Sequence, residues 1–133
     1  MSKLKNHSIT VRNLTIGYTT KTVSDNINFS VDSGQLCAIV GVNGVGKSTL
    51  LRTLGRLQPK LSGEITVNRK ALERYSSFEL AKTLSFVLTE QPASKNLTVQ
   101  ELIALGRQPY TNWIGTLTSE DKRQVEESLS SFY

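Results

Sequence analysis

Residues 41–48 read Gly41-Val42-Asn43-Gly44-Val45-Gly46-Lys47-Ser48, the spacing G-x-x-x-x-G-K-[ST]. Chance gives this pattern in roughly one chain of this length in two hundred, at a glycine frequency of about 7%. The spacing has a chemical reason. Glycines let the backbone curl so that successive N–H groups point inward at an anion. A helix that begins where the loop ends adds partial positive charge at the same point. A lysine there reaches the β- and γ-phosphates of a nucleotide, and the hydroxyl after it can hold Mg²⁺. The flanks fit this chemistry. Leu36-Cys37-Ala38-Ile39-Val40 is apolar without alternation, which predicts a strand buried on both faces, as parallel strands are. Lys47 to Leu57 predicts a helix with Leu50, Leu51, Leu54 and Leu57 along one face. A glycine-rich turn that binds nothing would need neither flank.

With 133 residues the chain is one domain at most. Apolar residues make up 38% and there are three prolines, so disorder and low complexity are excluded. The longest uncharged apolar run, Leu36 to Val42, falls far short of the roughly 20 residues a membrane helix needs. No leader segment is expected in residues 1–20. A lone Cys37 excludes an internal disulfide, fits a reducing compartment and reads as a small buried hydrophobe. His7 reads as a tail residue. The net charge of +5 leaves open a nucleic acid, an anionic membrane surface, a nucleotide, or plain solubility. No basic run with interleaved aromatics stands out, which argues against nucleic acid.

Residues 8–18 predict a strand whose phase slips at Arg12–Asn13, the mark of a bulge or turn. Ile27, Phe29 and Val31 alternate with polar residues and predict a half-buried antiparallel strand, closed by a turn at Asp32-Ser33-Gly34. Ser62-Gly63 reads as a turn before a short strand at Ile65 and Val67. Ser76 with Glu79, and Thr98 with Glu101, have capping-box spacing, and Tyr75 with Leu80 and Leu97 with Leu102 the matching staples. Leu84 to Leu88 predicts another core strand. Ser119 to Ser130 predicts a last helix with Val125 and Leu129 as a thin apolar stripe. Strands alternating with helices predict an α/β fold.

Gly-Val-Asn-Gly-Val-Gly-Lys-Ser-Thr, residues 41–49, resembles the phosphate loop of ABC transporter ATP-binding subunits. Leu14-Thr15-Ile16-Gly17-Tyr18 resembles that family's adenine-contacting segment, where Tyr18 would stack on the base. On its own, Tyr18 reads first as a core or edge-strand tyrosine; the loop that follows some twenty residues later turns the reading toward base stacking. The resemblance implies a P-loop NTPase core of ABC type, with antiparallel strands plus parallel strands around the phosphate-loop helix. It implies ATP and Mg²⁺ as cofactors. Tyr18, Gly41, Val42, Asn43, Gly44, Val45, Gly46, Lys47, Ser48 and Thr49 would hold the nucleotide, with Lys47 also catalytic. Leu61-Ser62-Gly63-Glu64-Ile65 only superficially resembles the family's LSGGQ signature, because it follows the phosphate-loop helix too closely. Leu84 to Gln91 resembles the strand and loop that end in a glutamine touching Mg²⁺ and the attacking water. Here Glu90 stands at that position and Gln91 comes one residue late. Either fills the catalytic role, and Glu90 would join Ser48 at the metal.

Ala104-Leu105-Gly106-Arg107-Gln108-Pro109-Tyr110 resembles the ATP-binding subunits of iron-siderophore, haem and cobalamin importers. That resemblance implies coupling of ATP hydrolysis to import. It implies transmembrane permease subunits and a second ATP-binding subunit as partners, no nucleic acid, and a peripheral place on the cytoplasmic face of the cell membrane. Tyr110, Trp113 and Ile114 either contribute an apolar partner surface or pack a helical layer. No apolar run ending in Asp-Glu, true signature or late histidine follows Leu88. The expectation is therefore the N-terminal portion of a longer domain: residues 1–91 from the ATP-binding core, and 92–133 opening a helical subdomain. Such a portion is expected to be inactive alone. The rival readings are an ABC-type ATPase not coupled to transport, a small metabolite kinase, and an inactive nucleotide-binding fragment.

Overall fold

The computed structural model describes residues 7–89, 96–110 and 117–131. It forms two compact units, Met1–Ser76 and Ser77–Tyr133.

The first unit is built on an antiparallel sheet. Strand β1, His7–Tyr18, lies between β2, Lys21–Asp32, and β3, Ser62–Val67, with the short β4, Lys70–Ala71, outside β3. His7 thus opens a strand rather than ending a tail. The slip expected at Arg12–Asn13 is a β-bulge. Val11 pairs with Phe29 and Leu14 with Ile27, so β1 carries one residue more than β2 over this stretch. Against β3 the same surplus falls between Arg12 opposite Glu64 and Thr15 opposite Ser62. The bulge resets the side-chain phase, which otherwise has period two. Val11, Leu14 and Ile16 therefore all reach the core. Asn13 takes a positive φ of 47°, and its spare N–H donates to Asn28 Oδ1 at 2.9 Å, so the surplus backbone group is satisfied.

The bulge also dictates β3. Ser62-Gly63, expected as a turn, forms the first residues of the strand, with Gly63 at φ 95°. A Cβ there would fall 2.4 Å from the Asn13 carbonyl oxygen and 2.6 Å from Leu14 Cα. Only glycine fits. Ile65, Val67, Leu72 and Tyr75 complete the buried apolar set, and each fully buried aliphatic contributes about 1.5–3 kcal/mol. The Tyr75 hydroxyl donates to the Val67 carbonyl at 2.7 Å.

Helix α1, Lys47–Leu54, begins where expected but stops three residues before Leu57, at Gly55. It buries Thr49 and Thr53. Leu51 and Leu57, two of the expected leucine stripe, are exposed. The Thr53 hydroxyl donates to the Thr49 carbonyl at 2.7 Å, which lets a polar side chain sit inside. Leu36–Val40, expected as a buried parallel strand, is irregular, and Leu36, Ile39 and Val40 are exposed. A strand needs neighbours for its N–H and C=O groups, and no described strand lies beside this one. Cys37, expected buried, is exposed with it. The sheet is antiparallel throughout among the described residues.

The second unit is helical: α2, Ser77–Thr83; α3, Val99–Leu105; a 3₁₀ turn, Gln108–Tyr110; and α4, Ser119–Ser130. α2 starts one residue after Ser76. The Thr98–Glu101 capping box is formed, with Glu101 N donating to Thr98 Oγ1 at 3.1 Å and Thr98 N to Glu101 Oε2 at 2.7 Å. A second box, Thr118 with Asp121, opens α4. Leu84–Leu88 is not a strand. The Leu84 N–H donates to the Leu80 carbonyl at 2.8 Å, carrying the helical turn on, and Phe86, Val87 and Leu88 are exposed.

Candidate nucleotide-binding site

The loop before α1 is closed by its glycines. Gly44 has φ 84° and Gly46, at the helix start, φ 109°. A Cβ on Gly46 would stand 2.6 Å from Val23 Cγ1, so glycine lets the loop approach β2 as well as turn. The Leu50 N–H donates to the Gly46 carbonyl at 2.9 Å and starts the helical ladder.

The helix start differs in charge from those of α3 and α4. Those two open with capping boxes: the Thr98 and Thr118 hydroxyls accept the N–H groups of Glu101 and Asp121, whose carboxylates accept the N-cap N–H groups and place negative charge in the first turn. α1 has neither a side-chain cap nor an acidic residue in its first turn. Its orphan N–H groups and its positive end therefore favour an anion from outside.

Tyr18, Val23, Asn43, Gly44, Gly46, Lys47, Ser48 and Thr49 line one open cleft of about 280 Å³. Pockets for drug-sized ligands run from about 300 Å³ upward, so this cleft seats a ligand against a wall rather than enclosing it. Tyr18 stands at the end of β1, 55% exposed, with its ring free to stack. Lys47 is the charged member of the lining. Its Nζ donates to the carbonyls of Gly41 and, at 3.3 Å, Val42. These bonds hold the ammonium against the loop. Gly41 and Val42 thus meet Lys47 through their carbonyls, and neither lines the cleft. Val45 is half-exposed and does not line the cleft.

Phosphate and Mg²⁺ fit this residue set differently. The glycine-closed loop, the uncapped helix start and Lys47 suit a polyphosphate. The Ser48 hydroxyl offers one hard oxygen, and no cluster of three or more acidic, histidine or cysteine side chains that could hold a metal occurs among the described residues. Mg²⁺ commonly binds through one or two protein oxygens plus phosphates and water, so Ser48 suits an ion that arrives with the nucleotide. Glu90, Gln91, Trp113 and Ile114 lie outside the described residues. Tyr110 is exposed at the end of its turn.

Val23 was not among the residues expected at the cleft. It lies in β2, with its Cγ1 close against Gly46. A β-branched residue three positions past a tight turn carries no binding signal by itself.

The comparisons agree with the geometry. The profile of the ABC transporter family matches residues 24–133. The achromobactin transport ATP-binding protein CbrD of Dickeya dadantii is 35% identical over 122 residues, 92% of this chain and 45% of that protein. The ferric enterobactin transport ATP-binding protein FepC of Escherichia coli is 35% identical over 118 residues, 89% of this chain and 44% of that protein. The chain therefore spans under half the length of these relatives. Among solved structures, a transporter described as of metal-chelate type, in an inward-facing conformation, superposes with a TM-score of 0.73 at 26% identity. That match covers 95% of this chain and 45% of the other. On the strength of the profile across most of its length, and of a fold shared with solved relatives, the chain belongs to the ABC transporter family.

Proposed function

We propose that this chain carries the phosphate loop and base platform of the ATP-binding subunit of an ABC importer for an iron chelate, haem or cobalamin. The observation that carries the reading is the single cleft shared by Tyr18 and by the helix start Lys47-Ser48-Thr49. An aromatic ring at one end and an uncapped, lysine-bearing helix start at the other match a base at one end and phosphates at the other. In this reading Tyr18 stacks on the base, the 41–49 loop cradles the phosphates, and Lys47 neutralises their charge. Ser48 meets the Mg²⁺ that accompanies ATP, and this ion supplies further charge neutralisation during phosphoryl transfer.

The importer subclass rests on the relatives named for achromobactin and ferric enterobactin transport and on Ala104-Leu105-Gly106-Arg107-Gln108-Pro109-Tyr110. Residues 1–91 then belong to the ATP-binding core and 92–133 open the helical subdomain, with Glu90 or Gln91 at the catalytic glutamine position. The partners are permease subunits and a second ATP-binding subunit. No described helix is long and apolar enough to cross a membrane, so the chain would reach the cytoplasmic face through the permease.

The test is titration of a fluorescent ATP analogue against the wild type and Lys47→Ala. The expected result is binding that the substitution removes while circular dichroism stays the same. Equal affinity in the two proteins overturns the assignment.

A further inference from the structure

The last residues of β1 need an explanation. β1 pairs with β3 only as far as Thr15 opposite Ser62. Beyond that point the carbonyls on this edge, which recur every second residue, have no strand to meet. Two other groups take over. The Leu61 N–H donates to the Thr15 carbonyl at 3.0 Å. The next carbonyl in step, that of Gly17, accepts from Gln58 Nε2 at 2.7 Å. A side chain thus continues the ladder where the strand has ended, and the peptide it holds is the one that leads into Tyr18.

Gln58 is itself fixed to α1. The N–H groups of Leu57 and Gln58 both donate to the Arg52 carbonyl, at 2.9 and 3.3 Å. The helix whose first turn carries Lys47, Ser48 and Thr49 is therefore bonded, through its last turn and then Gln58, to the backbone under Tyr18. On the other edge, Gly17 pairs with Thr22 of β2. Gln58 is half-buried, so water competes only partly for its amide.

We propose that Gln58 is a positioning residue for nucleotide binding: it sets the place of the Tyr18 ring relative to the phosphate loop. The proposal rests on the reading of Tyr18 and Lys47 given above and adds a residue outside the phosphate loop and the base platform. It predicts a specific split. Loss of the amide donor loosens the base platform and leaves the phosphate cradle intact.

The experiment uses the full chain and follows ³¹P line broadening of two probes, ATP and inorganic tripolyphosphate, into the millimolar range. The proteins are the wild type, Lys47→Ala, Tyr18→Ala, Gln58→Leu and the Tyr18→Ala/Gln58→Leu double variant. Gln58→Met, of similar reach and also without an N–H, replaces Gln58→Leu if leucine perturbs folding. The expected result is that Gln58→Leu weakens ATP roughly three- to tenfold, the scale of one hydrogen bond, and leaves tripolyphosphate unchanged. In the Tyr18→Ala background it has no further effect, because the two changes act through one ring. Equal weakening of both probes would mean a general structural role and overturn the proposal. So would unchanged ATP affinity, or a full effect in the Tyr18→Ala background. If Lys47→Ala binds like the wild type, or the wild type broadens neither probe, the phosphate-cradle reading itself fails and the Gln58 assignment falls with it.

Discussion

Arg107 Nε lies 2.8 Å from Asp121 Oδ1, a carboxylate whose side chain is only 1% exposed. The other oxygen, Oδ2, accepts from the Thr118 N–H and hydroxyl, each at 2.9 Å. One carboxylate therefore both caps α4 and holds the arginine that follows α3. The Arg107 guanidinium also covers the Tyr110 ring at 4.3 Å. The Ala-Leu-Gly-Arg-x-Pro-Tyr stretch is thus tied to α4 inside its own unit.

Removing the arginine leaves a buried carboxylate without its cationic partner, held by Thr118 alone, which is more costly than losing a surface ion pair. We expect Arg107→Ala to lower the thermal midpoint of the helical signal clearly. Arg123→Ala, which removes the exposed pairs with Glu120 and Glu127, should barely move it. Melting curves by circular dichroism at 222 nm compare the two. Equal effects would mean that Asp121 is satisfied by Thr118 alone.

The same carboxyl predicts a pH dependence. Hydrogen bonding from the Thr118 backbone, then from Arg107, holds the Asp121 pKa below its ordinary value. A carboxylate with a depressed folded pKa stabilises the fold above the unfolded pKa, about 3.9. That stabilisation is lost as pH falls through the lower folded value. The helical unit should therefore lose stability as pH drops below about 4, with a shallower dependence in Arg107→Ala. Glu120 is also held low, at about 2, mainly by its hydrogen bonds with Arg123 and then Gln124. Being exposed, it should contribute little. Carboxyl NMR titration assigns each midpoint, and an Asp121 midpoint at or above the unfolded value contradicts the argument.

What the sequence disclosed depends on how local the cause is. The bulge at Arg12–Asn13 was legible because a phase slip in an alternating strand leaves a pattern in the residues themselves. The Thr98 box and the start of α1 were legible for the same reason. The core strands at Leu36–Val40 and Leu84–Leu88 were expected from apolarity, but a strand exists only where a neighbour pairs with it, and none does among the described residues. Gln58 carries no pattern at all. Its role comes from a carbonyl 41 residues earlier in the chain. The spacing of residues 41–49 is legible in the sequence itself, whereas Val23 entered the cleft only through the fold of the hairpin.

Gly63→Ala should destabilise the sheet unit by more than about 1 kcal/mol, since alanine must adopt an unfavourable φ. The positive φ is only part of the cost. The new methyl would meet the Asn13 carbonyl oxygen and Leu14 Cα, which are backbone atoms of the central strand and cannot swing aside. Gly34→Ala is the control, because its φ is also positive, at 78°, but nothing lies within 4 Å of the added carbon. Urea denaturation followed by circular dichroism should place Gly63→Ala well below Gly34→Ala. Similar midpoints would mean that β3 slides away from the bulge at little cost.

Tyr18→Ala should weaken ATP and GTP alike, by roughly 1–3 kcal/mol if ring stacking is the main contact with the base. A ring face reads no pattern of donors and acceptors, so it discriminates poorly between purines. The Tyr18 hydroxyl plays no part in that contact, and Tyr18→Phe should keep near-wild-type affinity for both nucleotides. The substitution should also leave the fold intact, because the ring is more than half exposed while the β1 core residues Val11, Leu14 and Ile16 are buried. Competition of ATP and GTP against a labelled nucleotide, run on the three proteins, separates these effects. Loss confined to ATP would point to a hydrogen-bonding contact with the base. Unchanged affinity in Tyr18→Ala would return the ring to a surface role at the end of β1.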